Sequence, residues 1–410
     1  VPTHGSSEFD LASTITSASV THIPVWFRKE VGKNAYADNI GLCRSEWLVR
    51  LKSDSGHEGL TLANRFMNAP GNSFGSLLKM LQDRVVGVSV DDLLSVNGGV
   101  VSGTGSGAAS LYRDHPWLSN AAFDLVGHET NVSAIELLGG RVRSEIPAYD
   151  TTMYFQDFLD PEKGAAKCAE EAAEAKAAGY RQMKIKTGRG GRWMLPEDGM
   201  QRDADVVNAI RGAVGPDFDL MTDANFGYDG RLDLLEEFFR QTSDANVFWF
   251  EEMVNADVDD YKQIQEFRAK YAPNALIVCG EVDRNPISPE FQDLIDQELI
   301  DGYQPDIVTH GLLGWMQIER ELAGTDVRSV PHNFGNGRYG SVLGPLFGSV
   351  SKTFISFEDE RQHDHTYTSD GFTFKDGKHI VGDFTGIGLG INEEAWARDH
   401  AKHEAVVSAR

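Results

Sequence analysis

Cysteine, positive charge and long apolar runs are all scarce in this chain, and each shortage removes a class of function. The three cysteines, Cys43, Cys168 and Cys279, stand far apart in 410 residues. They show neither metal-ligand spacing nor a disulfide framework, so a reducing cytoplasm is the expected location. Lysine and arginine total 38 against 62 aspartates and glutamates, a net charge of −24. Repulsion of phosphates at that charge argues against a nucleic-acid partner. It also means that an anionic substrate needs a local positive site. No apolar run is long enough to span a bilayer, and the first residues lack the basic-then-apolar pattern of a signal peptide, so no membrane association is expected.

What is present is an ordinary globular composition, 41% apolar and 24% charged, on a length that can bury a barrel-sized core beside a second domain. Residues 1–144 read as strands followed by helices, an α+β domain. Ser45 to Lys52 alternates in part like a strand, and Asp54-Ser55-Gly56 supplies a hairpin turn. The polar, glycine-rich stretch from Asn97 to Ser110 reads as a loop; its Thr104-Gly105-Ser106-Gly107 lacks the lysine of a phosphate loop. Helical segments are expected around Ala121–Val126 and Val132–Leu138, the second stopped by Gly139-Gly140.

Over residues 145–360 the pattern changes to alternating strands and helices. Strands are expected near 146–150, 182–187, 218–223, 247–252, 276–281, 301–308, 327–332 and 353–358, with helices between them such as Ala165–Ala178, closed by Gly179. Eight such units point to an α/β fold with a (β/α)8 barrel, or (β/α)7β if the last helix is degenerate. Residues 361–410 are strand-like, with turns at Asp370-Gly371 and Asp376-Gly377, and are expected to return to the N-terminal capping domain.

Active groups of such barrels sit at the C-terminal ends of the strands. Asp223, Glu251 and Glu281 close three successive strand segments, and three carboxylates so delivered describe a site for a hard divalent cation. Lys184 and Lys186, two apart in Gln182–Thr187, share one strand face and can aim into the same cavity. Asp223 and Asn225 share a face by the same rule, whereas Glu251 and Glu252 point opposite ways, so one of the two faces the metal. Singly, each carboxylate is better explained as a solvated loop residue or a helix cap. Together with the lysines they describe a place to pull a proton from carbon.

His332 closes the seventh strand segment and Asp306 the sixth. Neighbouring strand ends allow Asp306 to orient the imidazole and raise its pKa. Glu358, closing the eighth, would donate a hydrogen bond to a developing enolate oxygen if held protonated, with Glu360 as the fallback.

The chain resembles the enolase superfamily, and within it the mandelate racemase subgroup. The resemblance rests on Leu48–Gly56, Ala122–Gly127 leading to Leu137–Gly140, Ile146–Tyr149, Lys184/Lys186, Asp223-Ala224-Asn225, Glu251-Glu252, Gly280-Glu281 and Asp306/His332. It implies proton abstraction alpha to a carboxylate, with Mg²⁺ held by Asp223, Glu251 and Glu281 stabilising the enediolate. It assigns Lys186 as the base on one face of the substrate carbon, Lys184 as a neutralising cation, and His332, oriented by Asp306, on the other face. Asn225 is then placed to touch a substrate hydroxyl or a metal-bound water. A homo-oligomer and a small-molecule carboxylate substrate are implied as well. The lysine that a sister subgroup carries beyond the sixth strand is absent, since Thr309-His310 occupies that stretch; His310 is expected to pack or to support from behind.

Arg189 and Arg192, in the loop after Lys186, fit a second substrate carboxylate or, equally well, the acidic surface. Two mobile capping loops, His22 to Asn39 with Trp26 and Thr61 to Asn72, are expected to contact the substrate. The family prior favours dehydration of an acid sugar to a 2-keto-3-deoxy acid. Racemisation or epimerisation between Lys186 and His332 is the alternative, and a barrel kept only as a binding protein is a second one.

Overall fold

The computed structural model describes residues 11–284 and 287–409. Its N-terminal sheet is built on Ile15–Val31, paired antiparallel with Gly41–Ser53, which returns as Glu58–Leu62. The turn falls where Asp54-Ser55-Gly56 predicts it, with Gly56 at φ +90, a conformation open to glycine at no steric cost. Helix Leu118–Thr130, buried along most of its length, packs between this sheet and the barrel helix Ile307–Glu321.

The barrel strands are Glu145–Met153, Gln182–Lys186, Asp219–Asp223, Val247–Glu251, Leu276–Cys279, Gly302–Tyr303, Arg328–Ser329 and Phe357–Asp359. Successive strands from the first to the seventh pair in parallel, and the eighth pairs in parallel with the first. Between the seventh and eighth, the Ile355 N–H donates to the Ser329 carbonyl at 3.2 Å and closes the ring. Helices Ala165–Ala177, Pro196–Val214, Leu232–Gln241, Val258–Tyr271, Pro289–Asp296, Ile307–Glu321 and Gly337–Val350 join the strands. The eighth strand runs directly into Gln362–His363 of the capping sheet, so the barrel is (β/α)7β with an α+β cap.

The sequence dictates much of this locally. Helix Leu232–Gln241 buries Leu234, Leu235, Phe238 and Phe239 as one stripe, and the Phe239 ring stacks on Phe250 of the fourth strand at 3.9 Å between centroids. Asp257 starts the next helix by accepting the N–H groups of Asp259 and Asp260. Inside the barrel, Tyr149, Met221, Trp249, Val278 and Val330 form a buried apolar layer. Met221 precedes Asp223 by two residues and Trp249 precedes Glu251 by two. Strand alternation therefore puts the carboxylates on the same inner face, above that layer.

Four expectations change. The strand expected over 301–308 shrinks to Gly302–Tyr303, because Asp306 is the N-cap of the following helix and accepts the Thr309 N–H at 2.7 Å. The glycine-rich stretch Asn97 to Ser110 is not all loop: Leu94–Asn97 and Val100–Thr104 pair as a hairpin turning on Gly98 and Gly99, both at positive φ. Most of the His22 to Asn39 loop belongs to strand Ile15–Val31, and only residues beyond it leave the sheet. The C-terminal tail divides its pairing. Gln362–His363 and Ala405–Ser408 join the capping sheet, but the hairpin Phe372–Lys375/Lys378–Val381 pairs with the first barrel strand.

Candidate active site

Register carries the acidic set across the barrel. Lys186 stands opposite Asp223, and Asp223 opposite Glu251. Glu281 follows Cys279, where the fifth strand ends, with Gly280 at φ +117. Asp223, Glu251 and Glu281 each offer an oxygen, and these atoms lie within 4.8 Å of one another. One Glu281 oxygen is buried without a hydrogen-bond partner. Three hard oxygen donors, one left unanswered, fit a divalent cation such as Mg²⁺.

Glu251 and Glu252 divide as strand alternation requires. Glu251 accepts from Lys184 Nζ at 2.7 Å, Gln304 Nε2 at 2.7 Å and Trp249 Nε1 at 3.0 Å. Glu252 leaves the strand at φ +43, accepts the Glu281 N–H at 3.1 Å and lines the main cavity, its other oxygen buried without a hydrogen-bond partner. Burial raises the Glu251 pKa, and the neighbouring charge of Asp223 raises it further.

Both lysines are buried and face this set. Lys184 lies 2.7 Å from Glu251, 2.7 Å from Glu358 and 3.4 Å from Asp223. Lys186 bonds Asp223 and donates to Asn225 Oδ1 at 2.9 Å. Burial works against the Lys186 ammonium, yet the Asp223 carboxylate outweighs it and keeps the pKa above the ordinary value. Asn225 also donates its N–H to Asp223 at 3.0 Å and lines the cavity.

His332 enters from the opposite side. Its Nδ1 is 3.1 Å from Asp306 Oδ2, and its Nε2 is 3.3 Å from Glu281 Oε1. Burial would lower its pKa, but Glu281, Glu358 and Asp306 outweigh burial and raise it to about 10. Asp306 is fixed in turn by Asn336 Nδ2 at 2.7 Å. His310 is buried with Nδ1 3.2 Å from the Asp306 carbonyl, behind the cavity rather than in it.

Glu358 lies in the site beside Lys184, but it, Glu360 and Trp26 differ from expectation. The surroundings of Glu358 favour its ionised form, against the protonated form expected of it. Burial would raise its pKa, but Lys184 and His332 lower it below the ordinary carboxylate range. It accepts the N–H groups of Asn333 at 2.7 Å and Phe334 at 3.1 Å. Glu360, pushed up to about 7 by burial, accepts three N–H groups, from Gly335, Asn336 and Gly337, under the same loop. Trp26 is half exposed on the outer face of its strand, away from the cavity. Its neighbour Phe27 is the inward residue, stacked on Phe334 at 5.8 Å.

Arg189 does not reach the cavity either. Gly188, at φ +86 and with a would-be Cβ 2.6 Å from the Ala224 carbonyl, turns the chain inward. The Arg189 guanidinium is fully buried between Asp157 and Asp203, each at 2.6 Å. Arg189 Nη1 also donates to the Lys186 carbonyl at 3.3 Å. Arg189→Met removes the buried cation between two buried carboxylates, leaving Asp157 only Arg202 and Asp203 only Tyr228 and backbone N–H groups, so a loss of about 3–5 kcal/mol in unfolding free energy is expected from urea melts. A loss under about 1 kcal/mol would contradict this account. Arg192 instead bonds the Tyr36 carbonyl, and Trp193 Nε1 donates to the Asn34 carbonyl at 2.7 Å, tying the capping loop to the barrel.

Glu281, Glu252, Asn225 and His332 line a cavity of about 560 Å³ to which both domains contribute. A side chamber of about 400 Å³ is lined by Lys186, Glu281, His332, Tyr154 and Tyr36. Of the expected Thr61 to Asn72 loop, Asn64, Arg65 and Asn68 do line the main cavity. Tyr36, Arg44 and Arg284 also line it without having been singled out in the sequence. The signal for Arg284 was its place just beyond Glu281, in a loop at the active end of the barrel. Among the described residues, no helix is long and apolar enough to cross a membrane.

Residues 167–395 match the family described as enolase C-terminal domain-like. The chain is 28% identical over 287 residues to a D-galactarolactone cycloisomerase of Agrobacterium fabrum, covering 67% of this chain and 70% of that enzyme. It is 23% identical over 283 residues to a D-gluconate/D-galactonate dehydratase of Picrophilus torridus, covering 67% and 68% respectively. A crystal structure of a galacturonate dehydratase variant from Geobacillus sp., complexed with Mg, superposes with a TM-score of 0.81 at 23% identity, covering 99% of this chain and 100% of that one.

Proposed function

The chain belongs to the enolase superfamily, and from that premise we propose that it dehydrates an acid sugar to a 2-keto-3-deoxy acid. The observation that carries the reading is the pairing of Lys186 and His332 in one chamber, the first on Asp223 and the second on Glu281. Lys186 Nζ is placed to take the proton alpha to the substrate carboxylate. Removal leaves a dianionic enediolate, a poor product in water and an accessible one only among cations. Lys184, anchored by Glu251 and Glu358, adds positive charge on that side.

Held by Asp223, Glu251 and Glu281, Mg²⁺ would supply the charge that acidifies the α-proton and frees Lys186 from its ion pair. His332, fixed through Nδ1 by Asp306 and surrounded by carboxylates that raise its pKa, would present Nε2–H as the acid. The β-hydroxyl takes that proton and leaves as water, and the resulting enol rearranges to the keto acid.

A second reading draws on the same geometry: reprotonation from the His332 side, without loss of hydroxyl, gives an epimer. Incubation with Mg²⁺ and a panel of acid sugars in D₂O, with semicarbazide to trap keto acids, separates the two. Semicarbazone formation supports dehydration. Deuterium at the α-carbon with no semicarbazone supports the epimerase and removes the dehydratase. A silent panel together with no Mg²⁺-dependent thermal shift would leave a binding protein.

A further inference from the structure

We propose that Arg65 and Arg284 hold a second substrate carboxylate, which makes the substrate a dicarboxylate. The inference rests on the reading of this cavity as an acid-sugar site and names the class of acid. It starts from an imbalance. In a chain of net charge −24, three arginines, Arg44, Arg65 and Arg284, converge on one cavity.

Arg44 is already answered. Its guanidinium lies 4.9 Å from the Phe334 ring centroid, and its charge favours ionisation of Glu360 and Glu46 behind the loop. Arg65 and Arg284 differ. Among the described residues neither side chain makes an ion pair or a hydrogen bond, whereas Arg50, Arg189, Arg268 and Arg361 each hold a carboxylate. The two guanidiniums are close enough to act on one another: partial burial lowers the Arg65 pKa, and Arg284 lowers it further. Asp306 alone opposes this, and its oxygens are engaged by His332, Thr309 and Asn336. Two unanswered guanidiniums lining one cavity supply the charge and the donors that a planar carboxylate needs.

Their position fits the chemistry. Arg65 lies within the field of Asp306, whose Oδ2 is 3.1 Å from His332 Nδ1. A substrate with one carboxylate at a cation that Asp223, Glu251 and Glu281 would hold, and the other at the arginines, would therefore run past His332, with its β-hydroxyl toward Nε2. Arg65 comes from the capping helix Asn64–Asn68 and Arg284 from the barrel loop beyond Glu281. The bound dianion would thus bridge cap and barrel.

The test is calorimetric titration of the full-length protein in Mg²⁺ with hexarates, hexonates of matched configuration and 6-phosphohexonates, with the keto-acid assay run beside it. One hexarate is expected to bind about a hundredfold tighter than its hexonate. Arg65→Gln and Arg284→Gln are each expected to cut that ratio at least about tenfold. Arg284 is exposed, so its variant is expected to fold whatever Arg65→Gln does. Equal binding of hexarate and hexonate, a ratio that survives both substitutions, or a preference for the phosphohexonate overturns the dicarboxylate site. The expected ratios without keto acid or α-deuterium would keep this site and remove the dehydratase. Keto acid from hexonates with no arginine-dependent ratio would do the reverse.

Discussion

His332→Asn is expected to lower keto-acid formation by about 10²–10⁴-fold, the usual contribution of a positioned acid, while α-deuterium exchange through Lys186 persists. Asparagine retains a hydrogen-bonding group but cannot surrender a proton to a departing hydroxyl. Lys186→Ala is expected to remove both signals, because without the amine no enediolate forms for His332 to act on. The two residues stand on different carboxylates, Asp223 and Glu281, so each substitution leaves the other residue's anchor in place. Proton NMR in D₂O reads the exchange, and semicarbazone absorbance reads the dehydration. Parental dehydration by His332→Asn would remove it as the acid.

Glu251→Gln is expected to weaken Mg²⁺ binding by more than about a hundredfold, beyond the about 10–100-fold typical of outer residues. Glu252→Gln should fall within that lesser range. Glu251 gives its oxygens to the inner face, beside Asp223 and Glu281, whereas Glu252 is turned off the strand and bonds a backbone N–H. At about 100 times its Kd, Mg²⁺ adds about 2.7 kcal/mol to the stability of a protein with an intact site. The Mg²⁺-dependent rise in Tm should therefore disappear in Glu251→Gln and survive in Glu252→Gln at raised Mg²⁺. Equal losses would reverse the assignment of the two glutamates.

The pairs that strand alternation governs are legible in the sequence. Lys184 with Lys186, and Glu251 against Glu252, follow from a period of two, and only one register lets apolar Met221 and Trp249 sit beneath Asp223 and Glu251. The His332–Asp306 contact was legible as adjacent strand ends, although Asp306 is a helix cap. Trp26 was missed by one residue, for the same period that served elsewhere: its segment is strand, so Phe27 faces inward and Trp26 does not. The charge state of Glu358 is not legible in the sequence, because it depends on Lys184, on His332 and on two N–H groups of a distant loop, none of which its own sequence neighbours announce.

The sequence alone determined the (β/α) alternation, the three acidic strand ends and the paired lysines, since local periodicity fixes which side chains share a face. Only the tertiary structure decided charge and access: that Arg189 is spent between Asp157 and Asp203, that the surroundings of Glu358 favour its ionised form, and that Arg65 and Arg284 line one cavity with no ion pair among the described residues. Those properties depend on what approaches through space from remote parts of the chain, and on how much water that approach excludes, neither of which is written in the order of residues.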